Sequence, residues 1–165
     1  MSNPLLDASE LPPFHAIRAE HVVPAIENML AENRQRIEQL LQAEKNYDWD
    51  SLVAPLEEWE DQLQQVWSPV SHLNGVMNSD ALREAYDRCL PMLSEYGTEL
   101  GQNQYLFSAY QQLQQSPGFS QLDKPRQTSI EHALRDFRLS GVALDKPNRE
   151  QFGVIKKRLA ELSTR

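Results

Sequence analysis

The chain has 165 residues, of which 40% are hydrophobic and 24% are charged, values typical of a globular protein rather than a disordered one. The net charge of −8 makes nucleic acid and anionic membranes poor general partners. No segment approaches the roughly 20 apolar residues that a membrane span needs, and the N-terminus lacks a signal-peptide pattern. The sequence therefore predicts a cytoplasmic protein without nucleic-acid or membrane partners.

The first 18 residues are predicted to form an extended N-terminal arm, and residues 19–165 a helical lobe. The arm contains three prolines and shows no helical periodicity. We expect its apolar side chains to dock onto the helices; they are Leu5, Leu6, Leu11 and Phe14.

Two helices are predicted in the first half of the lobe. The first runs from about Glu20 to Glu44, with apolar residues at helical spacing. Either Asp48 or Asp50 caps the second helix. Because proline lacks a backbone N–H, Pro69 predicts that the second helix ends or kinks there, and Asn74-Gly75 indicates a turn.

The longest amphipathic helix is predicted to start at Ser79, whose hydroxyl can accept a free backbone N–H. Its apolar residues recur every three or four positions from Leu82 to Leu100, so one face is expected to be buried. Pro91 predicts a bend within this helix. Whether Gly101 separates it from a further helix is open.

Two more helices follow, since Asp123 with Pro125 and Asp145 with Pro147 are both typical of helix starts. Gly141 fits the C-terminal cap of the first of them. No strand-like run of alternating or β-branched residues occurs. The fold class predicted is all-α, an antiparallel bundle of five or six helices.

The sequence contains no recognisable catalytic motif. Only His132 and Asp136 offer two metal ligands four residues apart, and two ligands on an exposed helix do not complete a zinc site, so a surface polar pair is favoured. Cys89, the single cysteine, lies on an apolar stripe without a nearby base and is predicted to be a buried thiol. We therefore assign no catalytic, cofactor-binding or metal-binding residue in this chain.

Three further groups of residues have a functional and a structural interpretation. The carboxylates Glu57, Glu58, Glu60 and Asp61 could perform acid–base chemistry, but such a run is typical of a solvated helix face. The basic group at residues 156–158 likewise indicates a helix surface. Three tryptophans could form a stacking surface, although core packing is favoured for the two on the apolar stripe; the three are Trp49, Trp59 and Trp67.

Three collinear blocks carry a family resemblance: NPLL...LPPF...EHVVPAI, SPVSHLNGVMNSDALREAYDRCLPMLSEY and ALRDFRLSGVALDKPNREQFGVIKKRLAEL. Together they resemble the oligopeptidase A branch of the thimet oligopeptidase family over essentially the whole chain. That family comprises helical, two-lobed zinc metallopeptidases that act on short peptides in a narrow channel. Their His-Glu-x-x-His motif lies far beyond the equivalent of Arg165.

The resemblance implies that this chain is a non-catalytic N-terminal lobe that helps to wall the substrate channel, truncated before the catalytic domain. The parent enzyme would hold zinc, hydrolyse short peptides and provide the C-terminal catalytic domain as the lobe's partner. The alternative is a stand-alone helical module that binds peptides or a partner protein without catalysis, since a helical bundle supports many functions.

Overall fold

The computed structural model describes residues 3–7, 11–43 and 46–163, and within these ranges the chain forms six α-helices and no β-strand. The all-α prediction with five or six helices is confirmed. The helices are α1 (Ala19–Ala43), α2 (Ala54–Val76), α3 (Asp80–Gly101), α4 (Gln104–Gln115), α5 (Lys124–Leu139) and α6 (Lys146–Ser163). None of them, over the ranges described, is long and apolar enough to cross a membrane.

Side-chain caps fix the starts of α3 and α5 where the sequence predicts them. The Ser79 hydroxyl accepts a hydrogen bond from the backbone N–H of Leu82 at 3.2 Å. The Asp123 carboxylate accepts one from the N–H of Arg126 at 3.0 Å. Each bond satisfies a donor that has no partner within the helix, so both helix starts are specified locally.

Asp48, rather than Asp50, caps the chain ahead of α2. Its carboxylate accepts the N–H of Ser51 at 2.8 Å, and the Ser51 hydroxyl accepts the N–H of Asp48 at 3.0 Å. Hydrogen bonds from the side chain and backbone of Ser51 lower the pKa of the Asp48 carboxyl. This capping box starts a short π-helical turn, Trp49–Val53, that leads directly into α2.

The prediction that the second helix ends or kinks at Pro69, with a turn at Asn74-Gly75, is wrong with respect to its end. α2 continues through both sites and stops only at Val76. Pro69 removes one backbone hydrogen bond, but Pro69, Val70 and Leu73 are all buried, and continuing the helix keeps these side chains in the core. Packing therefore overrides the local signal.

Gly101 does mark a boundary between two helices. α3 ends at Gly101, and Asn103 caps α4 by accepting the N–H groups of Tyr105 and Leu106, each at 3.0 Å. Pro91 lies inside α3 as predicted. Gly141 has φ +84°, the left-handed conformation expected just after a helix C-terminus.

Two hydrophobic clusters form the core. The first joins the N-terminal arm, α1, α2 and α3, with Val22, Ile26, Val70 and Cys89 at its centre. The second lies at the other end of α1 and joins the π-helical turn, α4 and α5; its largest fully buried side chains are Leu52, Leu113, Ile130 and Leu134. α6 packs mainly against α3.

The arm contains hydrogen-bonded turns and is held at its described ends. Leu5 and Ile17 are buried in the first cluster, and the Asn3 amide donates to the carbonyl of His21 at 2.8 Å. Docking is confirmed for Leu5. It is wrong for Leu11, which is 80% exposed, whereas two other predicted docking residues, Leu6 and Phe14, lie at the surface with partial exposure.

Candidate functional site

The histidine–carboxylate pair on α5 is a surface feature. His132 and Asp136 are both exposed, and Asp136 accepts a hydrogen bond from Arg135 Nε at 3.0 Å and lies 2.9 Å from another nitrogen of the same guanidinium. Among the described residues, no group of three or more His, Cys, Asp or Glu side chains is arranged to hold a metal ion. The structure therefore does not bring zinc ligands together in this part of the chain.

Cys89 is fully buried in α3, as predicted for a structural thiol. Burial raises the pKa of the thiol to about 11; the charge of Glu27 adds to the effect and that of Arg88 opposes it. The group is thus protonated at neutral pH and shielded from solvent. A buried neutral thiol is a poor nucleophile.

The acidic run on α2 is a solvated face, as predicted, because all four carboxylates are exposed. Three of them accept hydrogen bonds from glutamine amides one helical turn later, and the fourth accepts one from a serine of α5. These pairs are Gln62 to Glu58 (3.3 Å), Gln64 to Glu60 (3.2 Å), Gln65 to Asp61 (2.7 Å) and Ser129 to Glu57 (3.0 Å).

The tryptophan and basic residues also occupy the places that the structural interpretation predicts. Trp67 packs against the first core cluster and stacks on Tyr86, with ring centroids 4.8 Å apart, whereas Trp59 packs against the second cluster. Lys156, Lys157 and Arg158 are exposed on α6. No stacked tryptophan surface exists in the described residues.

A cavity of about 480 Å³, which we call the aromatic pocket, is lined by residues of α1, α2, α3, α4 and α5. Its wall includes four aromatic side chains, namely Trp59, Tyr96, Tyr110 and Phe137. Its rim carries three exposed carboxylates from one stripe of α2, namely Glu57, Glu60 and Asp61. No Lys, Arg or His belongs to the residues that line it.

Residues in the wall of the aromatic pocket contact one another and α1. The Tyr110 and Phe137 rings meet at a centroid distance of 5.5 Å with a tilt of 58°. Asn33, fully buried on α1, donates to the carbonyl of Trp59 at 3.3 Å. Burial raises the pKa of both Tyr96 and Tyr110, and nearby carboxylates reinforce the effect, so both hydroxyls stay protonated at neutral pH.

A larger and more polar groove of about 1100 Å³ lies between the N-terminal arm, α1 and α2. It carries charges of both signs, including Glu32, Arg36 and Glu58, and Arg36 pairs with Glu32 at 3.2 Å. Asp61 and Gln64 line this groove and the aromatic pocket alike, so the two cavities meet across the outer ridge of α2.

Sequence reasoning missed the aromatic pocket. Its residues come from five helices and lie up to 100 positions apart, from Ile37 to Phe137, and each apolar residue fits an ordinary core stripe. The only local signal was the conjunction of Trp59 with the neighbouring carboxylates on α2. Periodicity indicates that a face is apolar but not that the packed faces leave a gap.

One side of α6 is apolar and exposed. Val154, Ile155, Leu159 and Leu162 recur at one helical face and are each between 49% and 69% exposed; we call this surface the α6 face. Contiguous exposed apolar stripes of this kind are typical of interaction surfaces.

The described residues form an all-helical domain with one exposed apolar helix face. Residues 26–149 match the family model of the neurolysin/thimet oligopeptidase N-terminal domain. The chain belongs to this family.

Individual relatives give the same result. The chain is 46% identical over 164 residues to oligopeptidase A of Haemophilus influenzae, an alignment that covers 99% of this chain and 24% of that protein. It is 45% identical over 162 residues to oligopeptidase A of Escherichia coli (98% and 24%), and 35% identical to a probable cytosolic oligopeptidase A of Arabidopsis thaliana (98% and 23%). The chain thus spans about a quarter of the length of the curated relatives it matches.

Proposed function

We propose that this chain is the N-terminal, non-catalytic lobe of a cytoplasmic zinc oligopeptidase that hydrolyses short peptides. Residues 19–165 would form the lobe, preceded by the arm of residues 1–18, and would help to wall the channel that admits substrate. The observation that carries the proposal is the match of 98–99% of the chain to about 24% of proteins named oligopeptidase A. The same coverage favours this function over a stand-alone binding module.

The described residues do not fit a zinc centre, so we assign no metal ligand and no catalytic step to them. In this proposal the lobe contributes shape: it excludes bulky substrates, while the metal chemistry belongs to the C-terminal catalytic domain. The catalytic domain is then the principal partner of the lobe, and short peptides are the partners of the whole enzyme.

The α6 face supports this arrangement, because it is the one helix surface in the described chain with four large aliphatic side chains exposed along a single stripe. We infer that the catalytic domain covers it. Exposed aliphatic side chains gain roughly 25 cal/mol per Å² when they are buried, so such a contact would help to hold the two domains together.

A chimera tests the proposal. Residues 1–165 would replace the matching N-terminal region of the Escherichia coli oligopeptidase A, which is 45% identical. The expected result is a chimera that cleaves short peptides and spares a folded protein substrate. The isolated chain should neither cleave peptides nor bind zinc tightly. A folded chimera without peptidase activity, or chelator-sensitive hydrolysis by the isolated chain, would contradict the proposal.

The α6 face provides a matched pair of variants for the same experiment. Replacing Ile155 and Leu159 with glutamate should abolish activity of the chimera by separating the domains, yet leave the isolated chain folded because both side chains are exposed. The control, Lys157→Glu, adds the same charge elsewhere on α6 and should retain activity. Equal activity of the two variants would show that nothing covers the α6 face.

A further inference from the structure

We propose that the aromatic pocket is a binding site for a peptide that carries an arginine or lysine next to an apolar residue. The site lies wholly within this chain, so the inference does not depend on the zinc peptidase function proposed above. It rests on the shape of the cavity, the chemistry of its wall and the charge of its rim.

The volume sets the size of the ligand. A cavity of about 480 Å³ lies within the range of roughly 300–1,000 Å³ that is typical of small-ligand sites, and it is enough for one or two amino-acid side chains. The lining carboxylates on α2 are exposed, and the stretch from Glu57 to Asp61 rises about 6 Å at 1.5 Å per residue. An extended backbone can therefore pass along the rim while a side chain enters.

The wall favours an apolar or cationic side chain. Trp59, Tyr96, Tyr110 and Phe137 present aromatic surface, and the aromatic face attracts both hydrocarbon and the guanidinium or ammonium group. Aromatic–cation contacts are already used by this fold, since the guanidinium carbon of Arg126 lies 5.1 Å from the Trp49 ring centroid.

The Tyr110 hydroxyl is a polar group of the pocket that could form a hydrogen bond with a ligand. Its side chain is only 8% exposed, and its hydroxyl makes no hydrogen bond with another described residue. The Glu57 carboxylate is close enough to raise the pKa of this hydroxyl in addition to the effect of burial. A ligand donor placed between the two would meet a neutral hydroxyl and a carboxylate, both of which accept hydrogen bonds.

The rim determines the sign of the ligand's charge. Glu57, Glu60 and Asp61 accept hydrogen bonds from neutral Ser129, Gln64 and Gln65, and none of the three forms an ion pair with a Lys or Arg in the described chain. Arg34, whose guanidinium carbon lies 5.5 Å from the Tyr96 ring centroid, is already paired with Glu99 at 2.8 Å. The negative charge of the rim is therefore uncompensated, and a cationic peptide complements it.

The test uses two blocked peptides, acetyl-Leu-Arg-Phe-amide and the same peptide with citrulline in place of arginine. Citrulline keeps the shape of arginine but replaces the charged guanidinium with a neutral ureido group. Binding to the 165-residue chain is followed by calorimetry and by the indole N–H resonance of Trp59. We expect the arginine peptide to bind, to shift that resonance, and to bind more weakly as salt is raised.

Two variants localise the site. Replacing Glu57 and Glu60 with glutamine should weaken binding of the arginine peptide by roughly two- to thirtyfold and leave the citrulline peptide unchanged, as expected for two exposed charge pairs. The control, Glu58→Gln, removes a charge from the same helix on the stripe that lines the other groove, and should change affinity less than twofold.

Several results would overturn the inference. They are equal affinity for the two peptides, an equal effect of the Glu58 control, and no binding at millimolar peptide. A Trp59 shift that depends on protein concentration without peptide, with a dimer in sedimentation, would instead assign the pocket to a second copy of the chain and would likewise overturn it. Circular dichroism of each variant checks that the helices are intact.

Discussion

Cys89 illustrates how position within the fold changes the chemistry of a single residue. Its place on the apolar stripe of α3 was evident from the sequence, and the structure buries it fully between α1, α2 and α3. The ordinary thiol pKa of 9.0 rises to about 11, chiefly because burial disfavours the thiolate. Burial in the fold thus suppresses the nucleophilic reactivity that the Cys89 thiol would have in the unfolded chain.

Modification of Cys89 by Ellman's reagent at pH 8 should therefore be slow in the folded chain. The thiolate fraction alone falls by roughly a hundredfold for a pKa two units higher, and burial slows access further. Urea should restore ordinary reactivity. A His132→Cys variant supplies an exposed thiol as the control in the folded state. Equal rates for Cys89 and that control would contradict the assignment.

The same shift predicts a pH dependence of stability. The unfolded thiol ionises near pH 9 and the folded thiol near pH 11, so unfolding releases a proton between these values and the free energy of unfolding falls as pH rises. Below pH 9 this contribution is fully present. Urea midpoints measured from pH 8 to 11 should decline less steeply for Cys89→Ala than for the original chain, and parallel slopes would refute the prediction.

At the scale of helices, the starts that depend on capping residues could be predicted from the local sequence, whereas an end that depends on packing could not. The caps Ser79 and Asp123 depend on side-chain oxygens a few residues from the groups they bind, and the sequence predicted both. An end or a kink of α2 was predicted at Pro69, and the end was wrong because burial of Val70 and Leu73 depends on neighbouring helices that no local pattern reveals. The aromatic pocket escaped prediction for the same reason.

Gly141 and Gly75 test this difference between local conformation and packing, because Gly141 has a positive φ and Gly75 lies inside α2. Gly141→Ala should destabilise the chain by about 1–2 kcal/mol, because φ is +84° and the new Cβ would lie 2.8 Å from Leu144 Cδ1. Gly75→Ala should stabilise it by about 0.5–1 kcal/mol, since the helix passes through Gly75 and nothing lies within 4 Å of the added atom. Urea denaturation of both variants measures these changes in the free energy of unfolding. A lower stability of Gly75→Ala would argue for a turn at this position.

Pro91 tests whether a proline inside a helix does nothing but lower the stability of the chain. It is exposed within α3, so Pro91→Ala should restore a backbone hydrogen bond and stabilise the chain by about 1–3 kcal/mol. Pro125→Ala, in the first turn of α5 where no bond is lost, should change stability by less than about 0.5 kcal/mol. Thermal unfolding of both variants provides the comparison. Destabilisation by Pro91→Ala would mean that packing of α3 requires the proline.

At the scale of the whole molecule, the structure is an all-helical domain of the neurolysin/thimet oligopeptidase N-terminal family. Two core clusters join α1 to α5, α6 packs mainly against α3, and the α6 face exposes aliphatic side chains. The sequence supported the family assignment through three collinear blocks, not through any catalytic motif. Composition and periodicity alone could not have done so, because helical bundles serve many functions.

The central claim, that this chain is the front lobe of a longer peptidase, is tested most directly by the mass of the native protein in the cells of its source. An antibody raised against residues 46–163 would detect it in a fresh extract resolved by size. A band at roughly four times 19.0 kDa is expected, since the chain corresponds to 24% of its relatives, and the same band should carry chelator-sensitive peptidase activity. A single band at 19.0 kDa would contradict the claim and leave a binding module.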